Sequence, residues 1–102
     1  MARLVKVTET RNLPPGSAAA FDVEGNRIAL FNVGGTIYAI EDTCTHAGAS
    51  LAEGAVEGTK VTCPWHGAEF DLTNGSALTP PAFEGVRTFR VVVEGDAIHV
   101  EI

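Results

Sequence analysis

No apolar run in this sequence approaches the ~20 residues that a membrane helix requires, so no bilayer span is expected. The first residues lack the apolar core of an export signal: Met1-Ala2-Arg3-Leu4-Val5-Lys6-Val7 alternates charged and apolar side chains as a strand does. The chain is therefore expected to stay in the compartment where it is made, the cytoplasm. Basic residues are few. Seven Lys and Arg stand against 13 Asp and Glu, for a formal net charge of −6, and the seven are scattered. Phosphate-backbone binding needs clustered positive charge, which argues against nucleic acid as a partner. An acidic carrier is instead steered toward basic partners, and salt weakens that steering. Neither a G-x-G-x-x-G after a strand nor a P-loop occurs, so no nucleotide site is expected. Internal repeats and low-complexity segments are absent too. There are only two cysteines, too few for the disulfide framework of a small secreted domain. With histidines close by, they read as metal ligands in a reducing compartment.

What is present suits one domain over residues 1–102. A chain of this length buries roughly two-thirds of the surface its unfolded form exposes, enough for one hydrophobic core. Short strands punctuated by glycine are the dominant pattern. Arg3 to Glu9 alternates, Ala20 to Val23 runs into the turn signal Glu24-Gly25-Asn26, and Arg27 to Val33 completes a hairpin. Gly34-Gly35 is another two-residue turn, followed by a strand over Thr36 to Ile40. Val86 to Glu94 and Ala97 to Ile102 flank Gly95-Asp96 as a third hairpin rich in β-branched residues. The expected fold is all-β, an antiparallel sandwich or barrel. Between about residues 43 and 82 loop chemistry takes over, and this stretch reads as a loop-rich subdomain inserted into the scaffold. Within it, Lys60 to Cys63 and Glu69 to Leu72 are candidate short strands, Asn74-Gly75 a tight turn, Thr79-Pro80-Pro81 a stiff loop, and Gly48 to Glu53 a weak helix.

The chemistry concentrates in that stretch. Cys44-Thr45-His46 and Cys63-Pro64-Trp65-His66 form the spacing C-x-H-x16-C-x2-H, and four of the chain's five Cys and His residues fall within 23 positions. Each cluster offers one thiolate and one imidazole and is followed by glycine, Gly48 or Gly67, which lets the backbone approach a cofactor closely. Two buried thiols with two unrelated histidines is the bland explanation, and the clustering weighs against it. A zinc site is the second. Zinc sites usually pair like with like, as in C-x₂₋₄-C followed by H-x₃₋₅-H, but spacing alone does not exclude the metal.

A third explanation rests on resemblance. The residues Cys44-Thr45-His46-Ala47-Gly48, Cys63-Pro64-Trp65-His66-Gly67-Ala68-Glu69-Phe70-Asp71 and Gly75-Ser76-Ala77-Leu78-Thr79-Pro80-Pro81 resemble the two ligand loops and the proline loop of Rieske [2Fe–2S] proteins, over essentially the whole chain. The resemblance implies one Rieske-type cluster, with Cys44 and Cys63 on one iron and His46 and His66 on the other. Neutral imidazoles bring less negative charge than thiolates, so the histidine-bound iron is the one expected to accept the electron. High-potential members carry two further cysteines that form a disulfide; this chain has Ala49 and Trp65 at the matching positions. They also carry Ser and Tyr hydroxyls that donate to sulfur, where this chain has Ala68 and Phe70. Lacking both donors, it is expected at the low end of the Rieske potential range.

The family implies a partner on each side. With no nucleotide site, a flavoprotein ferredoxin reductase must split the NAD(P)H electron pair. A terminal oxygenase would receive the electrons, as in bacterial aromatic ring-hydroxylating dioxygenase systems. The chain is not itself the oxygenase: such enzymes need two further histidines for a mononuclear iron, and only His99 remains. It is expected to act as a monomeric carrier. The alternative is a small Rieske-fold subunit of another redox enzyme such as nitrite reductase, against which all four ligands argue. Trp65 reads as packing around the cluster and His99 as an exposed strand residue. Glu41, Asp42, Glu53, Glu57 and Glu69 read as a solvated acidic surface, with a docking rim for a basic partner as the functional alternative.

Overall fold

The two ends of the chain, both rich in β-branched residues, pair with each other. In the computed structural model, which describes residues 3–42, 50–64, 67–78 and 85–102, β1 (Leu4–Glu9) runs antiparallel to the last strand, β10 (Ala97–Glu101). On the other side of β10 lies β9 (Val91–Glu94), joined to it through Gly95-Asp96, so the order of this outer sheet is β1-β10-β9. Period-two alternation decides which face is buried: Ile98 and Val100 are fully covered, and Ala97, His99 and Glu101 lie on the opposite face. His99 is half-buried rather than exposed, because it sits on the central strand between Lys6 and Val92. Its Nδ1 is buried without a hydrogen-bond partner among the described residues.

A second sheet contains β2 (Ala18–Val23), β3 (Asn26–Val33), β4 (Thr36–Glu41) and β8 (Thr88–Phe89), in the order β2-β3-β4-β8. The turn Gly34-Gly35 joins β3 to β4 with φ of 60° and 100°, the doubly left-handed geometry that matches strand twist and that glycine adopts without strain. β3 is apolar on both faces. Ile28 and Leu30 join one core with Phe89, Ile98 and Val100 of the flanking strands, and Ala29 and Phe31 join a second core with Val61, Cys63 and Phe70.

That second core lies under a third sheet, β5 (Ala55–Glu57), β6 (Lys60–Thr62) and β7 (Glu69–Asp71), in sequential antiparallel order. The architecture is all-β, as expected, and most strand positions agree with the sequence reading. Three details differ. Val86 to Glu94 is not one strand: Thr88 and Phe89 pair with β4, the chain then changes sheets at the exposed Arg90, and Val91–Glu94 pairs with β10. Strand β5 was not expected, since its three residues are all exposed and show no alternation. Over the expected helix Gly48 to Glu53 the described part is a single 3₁₀ turn, Leu51–Glu53; Gly48 and Ala49 lie outside the described residues, as do Thr79, Pro80 and Pro81 of the expected stiff loop. No helix among the described residues is long and apolar enough to cross a membrane.

The chain after β7 folds back through a turn that Asp71 and Gly75 define. Thr73 donates to Asp71 Oδ1 from both its hydroxyl (2.6 Å) and its backbone N–H (2.8 Å). These bonds, the hydroxyl's first, hold the Asp71 carboxyl below the usual carboxylate range. Gly75 has φ 76°, donates to Asp71 O and accepts from Val86 N–H at 2.7 Å; a Cβ there would collide with the Val86 carbonyl oxygen.

Two predictions follow from this turn. Gly75→Ala, strained in φ and blocked by backbone, should lower unfolding free energy in urea by about 3 kcal/mol. Gly95→Ala, with φ 57° but open space around it, should lose only about 1 kcal/mol. Second, an NMR pH titration should find Asp71 ionising below about 3.9, the ordinary aspartate value. Thr73→Val should move it back up. Because the fold favours the ionised form, its stabilising contribution is present above the ordinary value and disappears as pH falls through the lowered one.

Candidate metal centre

The β6–β7 hairpin places the one expected ligand that the structure describes. Its register pairs Lys60 with Asp71, Val61 with Phe70 and Thr62 with Glu69. One step further toward the tip, Cys63 N–H donates to Ala68 O at 2.7 Å, and Gly67 N–H donates back to Cys63 O at 3.1 Å. Among the described residues, these two main-chain bonds join the two sides of the hairpin beyond β6 and β7. Gly67, φ 74°, supplies the left-handed residue that brings the chain around. Alternation turns Val61, Cys63, Ala68 and Phe70 toward the second core, where all four are buried. Thr62 and Glu69 face the other way, and Lys60 Nζ meets Glu69 Oε2 at 3.0 Å across the hairpin. That bond, first, keeps the lysine more basic than usual. Cys63 is a free thiol, 2 % exposed.

Cys44, His46 and His66 lie outside the described residues, as do Trp65 and Ala49. What is described is the base of the segment that carries the first pair. β4 ends at Glu41, and the next residue, Asp42, is 2 % exposed. Its main chain donates to Arg27 O at 3.0 Å and accepts from Leu51 N–H at 2.6 Å. Its side chain accepts at Oδ1 from Ser50 Oγ (2.8 Å) and Ala52 N–H (3.0 Å), and at Oδ2 from Arg27 Nε (3.3 Å). The two sides of segment 43–49 are therefore tied together at Asp42 and Ser50–Ala52. Leu51, fully buried, enters the same core as Cys63, so the described flanks of both segments that carry the expected ligands share one packing unit.

Asp42 corrects the sequence reading: it is not part of a solvated acidic surface. Its signal was weak, since a carboxylate beside Glu41 at a strand end gives no hint of burial. Glu69 is half-buried and paired with Lys60, whereas Glu53 and Glu57 are exposed as expected. Glu41 is exposed and accepts from Arg87 N–H at 2.7 Å. A cavity of about 400 Å³ opens elsewhere, between Ser17, Asn32, Ala52 and Val56; its lining contains neither Cys nor His.

A buried free thiol at the end of β6, beside Gly67, is a donor that an iron–sulfur cluster can take. Comparisons with known proteins agree. The model of the Rieske [2Fe-2S] domain matches residues 3–90. The chain is 45% identical over 92 residues to the 3-phenylpropionate/cinnamic acid dioxygenase ferredoxin subunit of Shigella boydii serotype 4 (strain Sb227), covering 89% of this chain and 86% of that protein. Among solved structures, it superposes with a TM-score of 0.90 and 35% identity on the ferredoxin of carbazole 1,9a-dioxygenase from Nocardioides aromaticivorans IC177, covering 95% of both chains. A chain in a complex of reduced oxygenase and oxidized ferredoxin in carbazole 1,9a-dioxygenase matches with a TM-score of 0.88 and 34% identity, over 95% of this chain and 91% of that one. With the family model spanning most of its length and its fold shared with solved ferredoxins, this chain belongs to the Rieske [2Fe-2S] domain family.

Proposed function

We propose that the chain is the ferredoxin of an aromatic ring-hydroxylating dioxygenase system, passing single electrons from an NAD(P)H-dependent flavoprotein reductase to a terminal oxygenase. Its relatives are named as ferredoxin components of such systems, and a solved complex pairs a ferredoxin with its oxygenase. The observation that carries the reading is the buried Cys63 thiol on a main-chain-closed hairpin tip, inside a C-x-H-x16-C-x2-H pattern within a Rieske-family chain. The chain works as a monomeric cytoplasmic carrier, one domain over residues 1–102, with residues 43–82 as its cluster-binding part.

Cys44, Cys63, His46 and His66 would hold the cluster, the thiolates on one iron and the imidazoles on the other. When bound, it supplies a reversible one-electron couple whose potential its surroundings set. The chain's own residues then do three things. Cys63 presents its sulfur on the apolar face of the hairpin, away from bulk water. Ala68 and Phe70, buried on that same face, withhold hydrogen bonds from sulfur. A hydrogen bond to sulfur favours the more negative, reduced state, so the absence of two keeps the potential at the low end of the Rieske range. The chain's formal net charge of −6 steers it toward basic docking faces.

Purified native protein should be reddish-brown and contain iron and acid-labile sulfide. After dithionite reduction its EPR spectrum should show a mean g below that of all-cysteine clusters, because of the histidine ligands. A colourless zinc protein would overturn the reading, as would failure to sustain turnover between a dioxygenase reductase and its oxygenase.

The tuning is tested separately. Ala68→Ser and Phe70→Tyr should each raise the reduction potential, by about 40 mV if each new bond favours the reduced state by about 1 kcal/mol. Voltammetry that found no rise in either variant would refute this account of the potential.

A further inference from the structure

We propose that Asp42 is a positioning residue for the metal centre: its buried carboxylate, acting through Ser50 and Ala52, clamps the base of the segment that carries Cys44 and His46. The inference rests on the reading that those two residues hold a cluster. It goes further by assigning a role to a residue outside the ligand motif.

The clamp has an unusual construction. Burying a carboxylate is costly unless its oxygens are hydrogen-bonded or paired. At 2 % exposure, Asp42 meets that requirement with three donors: Ser50 Oγ and Ala52 N–H on Oδ1, and Arg27 Nε on Oδ2. Two of the three lie on the far side of segment 43–49 from Asp42 itself. The third, Arg27, belongs to β3, whose main-chain oxygen also receives Asp42 N–H. One side chain therefore ties both ends of the ligand segment to each other and to the central sheet.

The contrast with the other ligand segment is informative. Residues 63–68 are closed by Cys63 N–H to Ala68 O and Gly67 N–H to Cys63 O, bonds that no side-chain substitution removes. At the first segment a side chain adds to the main-chain bond from Leu51 N–H to Asp42 O, whereas the bonds described at the second are main-chain ones. Loosening Asp42 should therefore release one cysteine–histidine pair and leave its counterpart in place.

The test uses purified holoprotein and measures cluster bleaching by an iron chelator, the EPR line shape after dithionite reduction, and the urea midpoint. Asp42→Ala should bleach about 10-fold faster or more than the parent and broaden the EPR signal. Asp42→Asn, whose Oδ1 can still accept from Ser50 and Ala52, should restore most of the parent rate. Ser50→Ala removes one donor and leaves the carboxylate in place, so it should accelerate bleaching by a smaller factor and keeps the test available if Asp42→Ala does not fold. Gly95→Ala, in the outer sheet, calibrates how much bleaching follows from lost stability alone. Bleaching of Asp42→Ala and Ser50→Ala no faster than that of Gly95→Ala, with unchanged EPR spectra, overturns the clamp. A parent protein without iron and labile sulfide overturns instead the functional reading on which it rests.

Discussion

The double-sided burial of β3 is the constraint on which the rest depends. Four consecutive residues, Ile28-Ala29-Leu30-Phe31, are all fully buried, and in a strand they point alternately to opposite faces. A strand apolar on both faces must lie between two layers. One layer is the β1-β10-β9 sheet, which brings Ile98 and Val100 against Ile28 and Leu30. The other is the β5-β6-β7 sheet, which brings Val61, Cys63 and Phe70 against Ala29 and Phe31. The position of Cys63 thus follows from hydrophobic patterning in a strand more than thirty residues earlier.

The two ligand-bearing segments leave this common core by different physical means. The second extends an antiparallel ladder by one more pair, so its geometry is inherited from the register of β6 and β7. The flanks of the first, at the end of β4 and at Ser50–Ala52, are joined by the main-chain bond from Leu51 N–H to Asp42 O and by the buried Asp42 carboxylate. The arrangement is self-consistent because Leu51, next to the clamp, packs into the same core as Cys63.

Most of the scaffold was legible in the sequence because its signals are local. Glu24-Gly25, Gly34-Gly35 and Gly95-Asp96 mark two-residue turns, and the runs flanking them are rich in apolar and β-branched residues. The transfer of the chain from one sheet to another at Arg90 was not legible, since Val86 to Glu94 reads as one β-branched-rich run whichever partner its parts meet. Strand β5 was hidden for the opposite reason: three exposed residues carry no periodicity at all. At the site, Cys63 announced itself by its spacing from a histidine, and the structure adds its burial and its hairpin. Asp42 gave no such signal, because its role depends on Ser50, Ala52 and Arg27, which only the folded chain brings to it.

Asp42 also changes the electrostatic picture. In the sequence, five acidic residues near the proposed ligand segments read as a solvated acidic surface, with a docking rim as the alternative. In the fold, Asp42 is withdrawn into the interior and bonded to Arg27, Glu69 is half-buried and paired with Lys60, and Glu41 accepts a main-chain N–H from Arg87. What faces solvent is sparser than the sequence order implies, with Glu41, Glu53 and Glu57 the exposed members. Steering toward a basic partner must then come mainly from the net charge of the whole molecule, whose long-range field salt screens over roughly 10 Å. Such a field brings partners together quickly but selects orientation poorly. On the proposed function, orientation would then be left to short-range contacts made by the surface around the two proposed ligand segments, whose described flanks share one core.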